Sequence, residues 1–381
     1  MLKAQSSFDS VSSTSSNGLS NNDEYAYLIS ELKKANIIRD IWVCLRKNTQ
    51  NSMKGADFIQ WITHEKHISR EEAFRIGTEL VRRYFGHRFN NNESFQADRI
   101  YQLREEDNIL PLNAASSGTE SRISASDMNK ALIGALKPIY QEIVSPDGKT
   151  ISYSDFMSSQ YYNHYLDVAH QLQYVDITAA TRNEKLALFL NVYNVMIIHI
   201  FAKFDPPRNI WIRRKYWYAT YYVIGGELYS LQSILNGILR GNRKGVAMLW
   251  QPFGPEDRRL NLAIPLLEPL IHFAITSGAK STNPLRLYTT TNVIEEMRHA
   301  AIEFLESKEN FSVDLKHRII CISKIFKWYA EDFGGSTTEI IKWISRLLEQ
   351  SKRRKLLSRI ADSGAFRIEY INYDWSHNSD R

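Results

Sequence analysis

The sequence is poor in the features that most directly announce chemistry. Cysteine occurs only twice in 381 residues, as Cys44 and Cys321, far apart and in unlike contexts. That supports neither a disulfide framework nor a zinc site, and it suits a reducing compartment. No cluster has metal-ligand spacing and no glycine-rich phosphate loop is present, so neither metal nor cofactor is expected. No apolar signal region lies at the N-terminus, so nothing argues for secretion. Charge of one sign is also scarce. The 48 basic and 42 acidic side chains leave a net +6 and a pI near 9.0. This mild excess permits contact with anionic lipid or acidic proteins without indicating nucleic acid.

An uninterrupted bilayer-length apolar run is missing too. Residues 186–202 approach the roughly 20 needed to cross a membrane, but Asn191, Asn194 and His199 interrupt them, and lone amides are costly in lipid. With no Gly or Pro inside it, and with Pro206 and Pro207 just beyond, the stretch 183–204 reads as a buried core helix. At about 100° per residue its three polar side chains share one broad face. They either bond to backbone and fix how neighbouring segments dock, or they line a site.

What is present is a globular composition, 43% hydrophobic, in a chain long enough for two or three domains. Residues 1–23, rich in Ser and Asn, have too few apolar groups to order and are expected to form a disordered tail. Residues 24–112 read as one module. Helical spacing runs through Tyr27, Leu28 and Leu32, then through Ile38, Ile41, Trp42 and Leu45, then through Phe58, Ile59, Trp61 and Ile62. Ser69 and Glu72 form a capping-box pair ahead of an amphipathic stripe at Ala73, Ile76, Leu80 and Val81. Two short extended pieces follow, giving an expected β-hairpin. Arg82, Arg83, Arg88, Arg99 and Arg104 lie near it and could face an anionic surface, each contributing about 1 kcal/mol. Neighbouring acids, among them Glu71 and Glu72, dilute them, and a solvated mixed-charge face is the plainer reading.

The small polar residues 113–126 read as a linker, and 127–381 as a second, mainly helical α+β domain. Pro138 is expected to kink or break its first helix. Residues 220–231 have hairpin character around Gly225-Gly226. Arg213, Arg214 and Lys215 beside Tyr216, Trp217 and Tyr218 suit nucleobase stacking or a membrane interface; strand-flanking charges beside core aromatics are the commoner arrangement.

Two resemblances follow from these residues. Residues 32–110 resemble a DEP domain, through Ile38 and Ile41, the run Lys54-Gly55-Ala56-Asp57-Phe58-Ile59-Gln60-Trp61, then Ala73, Gly77 and Leu80, then Phe95, Asp98 and Tyr101. The resemblance implies a three-helix, winged-helix-like bundle with a β-hairpin arm, used for membrane targeting or protein docking in intracellular signalling, without catalysis. From Asn183 to Asn378 the chain resembles the domain-of-unknown-function family numbered 547. Asn183, Lys185, Ala187, Phe189, Asn191, Tyr193-Asn194 and His199 carry the likeness, and it continues through Leu239-Arg240, the segment 269–274, the segment 284–288, Trp328-Tyr329, Asp332-Phe333 and Tyr373-Asp374-Trp375. Many members carry Cys where this chain has Ser277 and Thr282, so any thiol chemistry there is lost.

The expected fold class is therefore α+β, in two domains. The expected function is that of a cytoplasmic signalling adaptor, peripheral at membranes, with a DEP module docking to an anionic membrane surface or a signalling protein and a second domain acting as a scaffold. The alternative is a hydrolase or acyl-transfer enzyme with Ser277 as nucleophile, His272 as base and Asp374 as its orienter, Asn194 and His199 lying nearby. No nucleophile-elbow motif surrounds Ser277. Nucleic-acid binding through the Arg213 region and the basic run at 352–355 is not expected.

Overall fold

The computed structural model describes residues 28–29, 31–33, 35–44, 47–84, 95–103, 111–114, 122–246, 248, 250–348, 354–355, 357 and 366–380. The expected tail, Arg88, Arg104 and residues 115–121 of the linker lie outside these residues, as do the side chains of Arg82 and Arg83. The chain is mixed α and β, and it divides into two units, Met1–Asn108 with Ala115–Thr119 and Ile109–Ala114 with Glu120–Arg381.

In the first unit a three-stranded antiparallel sheet in the order β1-β2-β3 (Arg39–Cys44, Lys47–Lys54 and Ile100–Gln102) accompanies α1 (Gly55–Lys66) and α2 (Arg70–Tyr84). Ile41 and Trp42 thus lie in a strand, with Ile38 in the bend before it, and not in the helix their spacing suggested. The strand's β-branched and aromatic residues favour a pleated surface, and pairing of Ile41 with Thr49 secures it. Phe58, Leu80, Phe95 and Tyr101 fill the core, with the Phe95 and Tyr101 rings stacked 4.9 Å apart. Arg99 is half-buried, and its carbonyl accepts the Gly55 N–H at 2.9 Å.

The second unit begins earlier than expected. Asn113, read as linker, is buried: its Nδ2 donates to the carbonyls of Ala169 and Val223, and its Oδ1 accepts the Val223 N–H. β4 (Ile123–Ser124) pairs in parallel with β5 (Val175–Asp176), and Ser124 caps α3 (Ala125–Ile143), which runs unbroken through Pro138. After α4 (Tyr162–Gln171) comes the organising helix α5 (Arg182–Phe204). Thr181 and Glu184 close a capping box on its first turn. The helix is long and apolar enough to cross a membrane by length and composition, but every side chain from Leu186 to Phe201 is buried, so that apolar length goes into the core.

Around α5 pack α3, a short helix at Tyr153–Phe156, α7 (Val293–Glu306) and a seven-residue π-helix, Ser233–Leu239. Helix α6 (Ile210–Ala219) replaces the expected strand-flanking segment. Asn209 caps it by accepting the Ile212 N–H at 2.9 Å. The hairpin β6–β7 (Tyr221–Ile224 and Glu227–Ser230) turns at Gly225 and Gly226, both at positive φ, as Gly-Gly allows. β8 (Phe311–Asp314), β9 (Ile319–Ser323) and β10 (Arg367–Ile371) form a sheet in the order β10-β9-β8, with α8 (Thr337–Leu347) between β9 and β10 in the chain.

Candidate functional site

The polar face of α5 is satisfied by an irregular chain segment rather than by a ligand. Asn191 Oδ1 accepts the Tyr288 N–H and its Nδ2 donates to the Tyr288 carbonyl, at 2.9 and 2.8 Å, with a further bond to Asn129. One turn on, Asn194 accepts the Thr276 N–H and donates to the Ala274 carbonyl. Each amide thus imitates one rung of a strand. The segment between residues 269 and 290 is pinned to the helix without forming a sheet with it.

His199 belongs to a separate pocket of tyrosines. Its Nδ1 lies 2.7 Å from the Tyr222 hydroxyl and its Nε2 3.1 Å from that of Tyr162, while Tyr165 and Tyr222 share a 2.5 Å bond. Burial, with Lys203 and His170 in the same direction, pushes its pKa down to about 3, so the ring is neutral.

His272 is sealed at the far side of the same segment. Its Nε2 is 2.7 Å from Asp332 Oδ2, Tyr329 stacks on its ring at 4.1 Å, and its Nδ1 has no partner. Burial lowers the pKa of His272 despite the carboxylate, and a carboxylate can only accept. Nε2 therefore carries the proton and Nδ1 is a bare acceptor. Asp332 also takes a fork from Arg240, Nε to Oδ2 at 2.6 Å and Nη2 to Oδ1 at 2.9 Å. Burial alone would raise Asp332, but hydrogen bonds from His272 and Arg240 hold it at about 2. The π-helix makes this possible by presenting Asn236, whose Oδ1 accepts from Arg240 Nη1 at 2.7 Å.

The proposed nucleophile has other company. Ser277 Oγ lies 2.7 Å from the hydroxyl of Tyr373, whose pKa burial raises, and a neutral phenol is no base for serine. Asp374 is exposed, and Ser376, first through its side chain and then its backbone, holds its carboxyl below the usual range. Its partners are Ser376 and not His272. Ser277, His272 and Asp374 therefore do not assemble into a triad, and Asn194 and His199 join neither. Positions 277 and 282 do meet, since the Ser277 N–H donates to Thr282 Oγ1 at 2.6 Å. Among the described residues no group of three His, Cys, Asp or Glu side chains is placed to hold a metal ion.

An open groove of about 950 Å³ lies between the end of α5, the start of α6 and the C-terminal segment 375–379. Tyr153 and Phe201 line it together with Pro206, Ile210 and Trp375, and Asp205, Arg208 and His377 supply charge and hydrogen-bonding groups. Arg213 braces its wall. Nη1 donates to the Ser277 carbonyl and Nη2 to that of Trp375, at 2.8 and 2.9 Å, while the guanidinium sits between the Trp217 and Trp375 rings. Asp205, at φ 63° and ψ 155°, holds a conformation that favours glycine, which sets the sharp exit from α5. Gly278, at φ 63°, backs onto the Phe201 ring, where a Cβ would collide.

Of these residues, Arg240, Asp332 and Tyr373 carry the resemblance described above, yet their roles were not visible. Spacing along the chain gives no distance between His272 and a residue 60 positions on. Arg213 was singled out only as part of a basic and aromatic run.

The second unit is, in class, an α+β unit organised round one buried helix, with amide-pinned loops, a buried Arg–Asp–His cluster and an open groove. Residues 177–305, which include α5, the π-helix and the His272 segment, match the family model described as protein of unknown function, DUF547. No curated protein and no solved structure matches the chain.

Proposed function

We propose that the protein is an intracellular signalling adaptor, in which residues 24–112 act as a DEP module docking on anionic lipid or a signalling protein and the second unit binds rather than catalyses. One observation carries the second half of this reading. Ser277, His272 and Asp374 bond to Tyr373, Asp332 and Ser376 respectively, and none of the three lines the groove. A hydrolase needs its nucleophile within reach of its base and of solvent. The resemblance at residues 54–61 supports the first half.

Two measurements test it. Wild type and Ser277→Ala should be equally inert toward activated acyl esters; turnover lost in Ser277→Ala at unchanged Tm overturns the scaffold reading. Reversing Arg82 and Arg83 to Glu in the full chain should weaken capture by phosphatidylserine vesicles or by a signalling partner. Undiminished capture removes that patch from the account.

A further inference from the structure

We propose that the outward face of α6 is a docking surface for an anionic lipid bilayer, separate from any surface on the N-terminal module. Stepping about 100° per residue, Ile210, Arg214, Tyr218, Trp211 and Lys215 fall within an arc of about 140°, and all five are exposed. Arg213, Tyr216 and Ala219 occupy the opposite side and are buried. The helix is amphipathic in an unusual sense: its inward face carries Arg213 beside Tyr216 and Ala219, and its outward face is in part aromatic and aliphatic. Trp211 is 75% exposed and Ile210 62%, and the last residue of α5 adds Phe204 at 43%.

Charge identifies what would cover them. From residue 203 to 218 there are five cations, Lys203, Arg208, Arg213, Arg214 and Lys215, against one carboxylate, Asp205. All but Arg213 are exposed, and among the described residues Lys203, Arg208 and Arg214 have no carboxylate within ion-pair distance. Two sit over their own aromatic neighbours, Lys203 over Phe204 at 5.8 Å and Arg214 over Tyr218 at 5.4 Å. Cations interleaved with Trp, Tyr and Ile match a headgroup region, where ammonium and guanidinium groups meet phosphates while aromatic rings and Ile enter the acyl boundary. A nucleic acid would use the cations but leave Ile210 in water.

The test is sedimentation of the full chain with phosphatidylcholine vesicles, with and without phosphatidylserine. Wild type should bind the mixed vesicles, with binding falling as salt rises. Arg208→Glu with Arg214→Glu should lower partitioning by about tenfold or more. Ile210→Ser with Trp211→Ser should lower it independently, and because these side chains are exposed neither pair should move Tm. No binding by wild type, or unchanged binding by both pairs, overturns the proposal, as does retention on single-stranded RNA without retention on vesicles. Binding lost in Arg82→Glu with Arg83→Glu and kept in both α6 pairs would place the lipid contact on the N-terminal module alone. The reverse pattern would uphold the α6 surface and end the case for lipid capture by Arg82 and Arg83.

Discussion

His272 donates a hydrogen bond of 2.7 Å to an Asp332 oxygen that Arg240 already holds, so a single carboxylate oxygen anchors both a buried imidazole and a buried guanidinium. Removing the carboxylate leaves an uncompensated cation in the core. Asp332→Ala should destabilise the second unit by about 3–5 kcal/mol, read as a shift in denaturant midpoint. Asp332→Asn, which keeps the shape and loses the charge, should recover little of it. A loss below about 1 kcal/mol for Asp332→Ala would mean that Arg240 finds solvent or another partner.

Stability should fall in mild acid. His199 has an ordinary value of 6.5 and is pushed down to about 3 by burial in the fold, and His272 is lowered too. Between those values the unfolded chain binds protons that the folded one refuses, so the stability is complete above about 6.5 and is lost as the pH drops below it. His199→Phe keeps a ring but removes one titration. It should be less stable than wild type at neutral pH, having lost the Tyr222 bond, yet decline less steeply toward about pH 5. Parallel curves over that interval would show that His199 accepts its proton without unfolding.

Asn191→Leu should cost about 2 kcal/mol or more, because it strands the Tyr288 N–H and Asn129 Oδ1 while filling the same space, the Tyr288 carbonyl keeping only its bond from Asn129 Nδ2. Thermal unfolding and amide exchange at Tyr288 measure the two consequences separately. Exchange at Tyr288 as slow as in wild type would show that the amide does not hold the segment.

Some of this was legible in the residues and some was not. The turn between β6 and β7 could be read because Gly-Gly tolerates the positive φ that a tight hairpin demands, and α5 because Pro206 and Pro207 must end it. Ile41 and Trp42 misled because their helical spacing from Ile38 fits a helix while their side-chain types fit a strand, and pairing with β2 decides the matter. In α6 the aromatic residues suggested a strand, although Asn209 is a capping residue in the right place. The assignment of Asp374 as partner to His272 failed for a different reason. Contacts between residues far apart in sequence depend on how loops are routed, and Asp332, in a 3-10 turn at Ala330–Phe333, meets His272 across 60 positions of chain.

The amide rungs of Asn191 and Asn194 carry a consequence for divergence. On the segment 269–290 they grip main-chain atoms, which every residue type supplies, so the grip at Ala274, Thr276 and Tyr288 does not depend on which side chains stand there. The helix thus fixes where the Ser277 and Thr282 backbone runs, while their mutual contact, through Thr282 Oγ1, is a matter of side-chain identity.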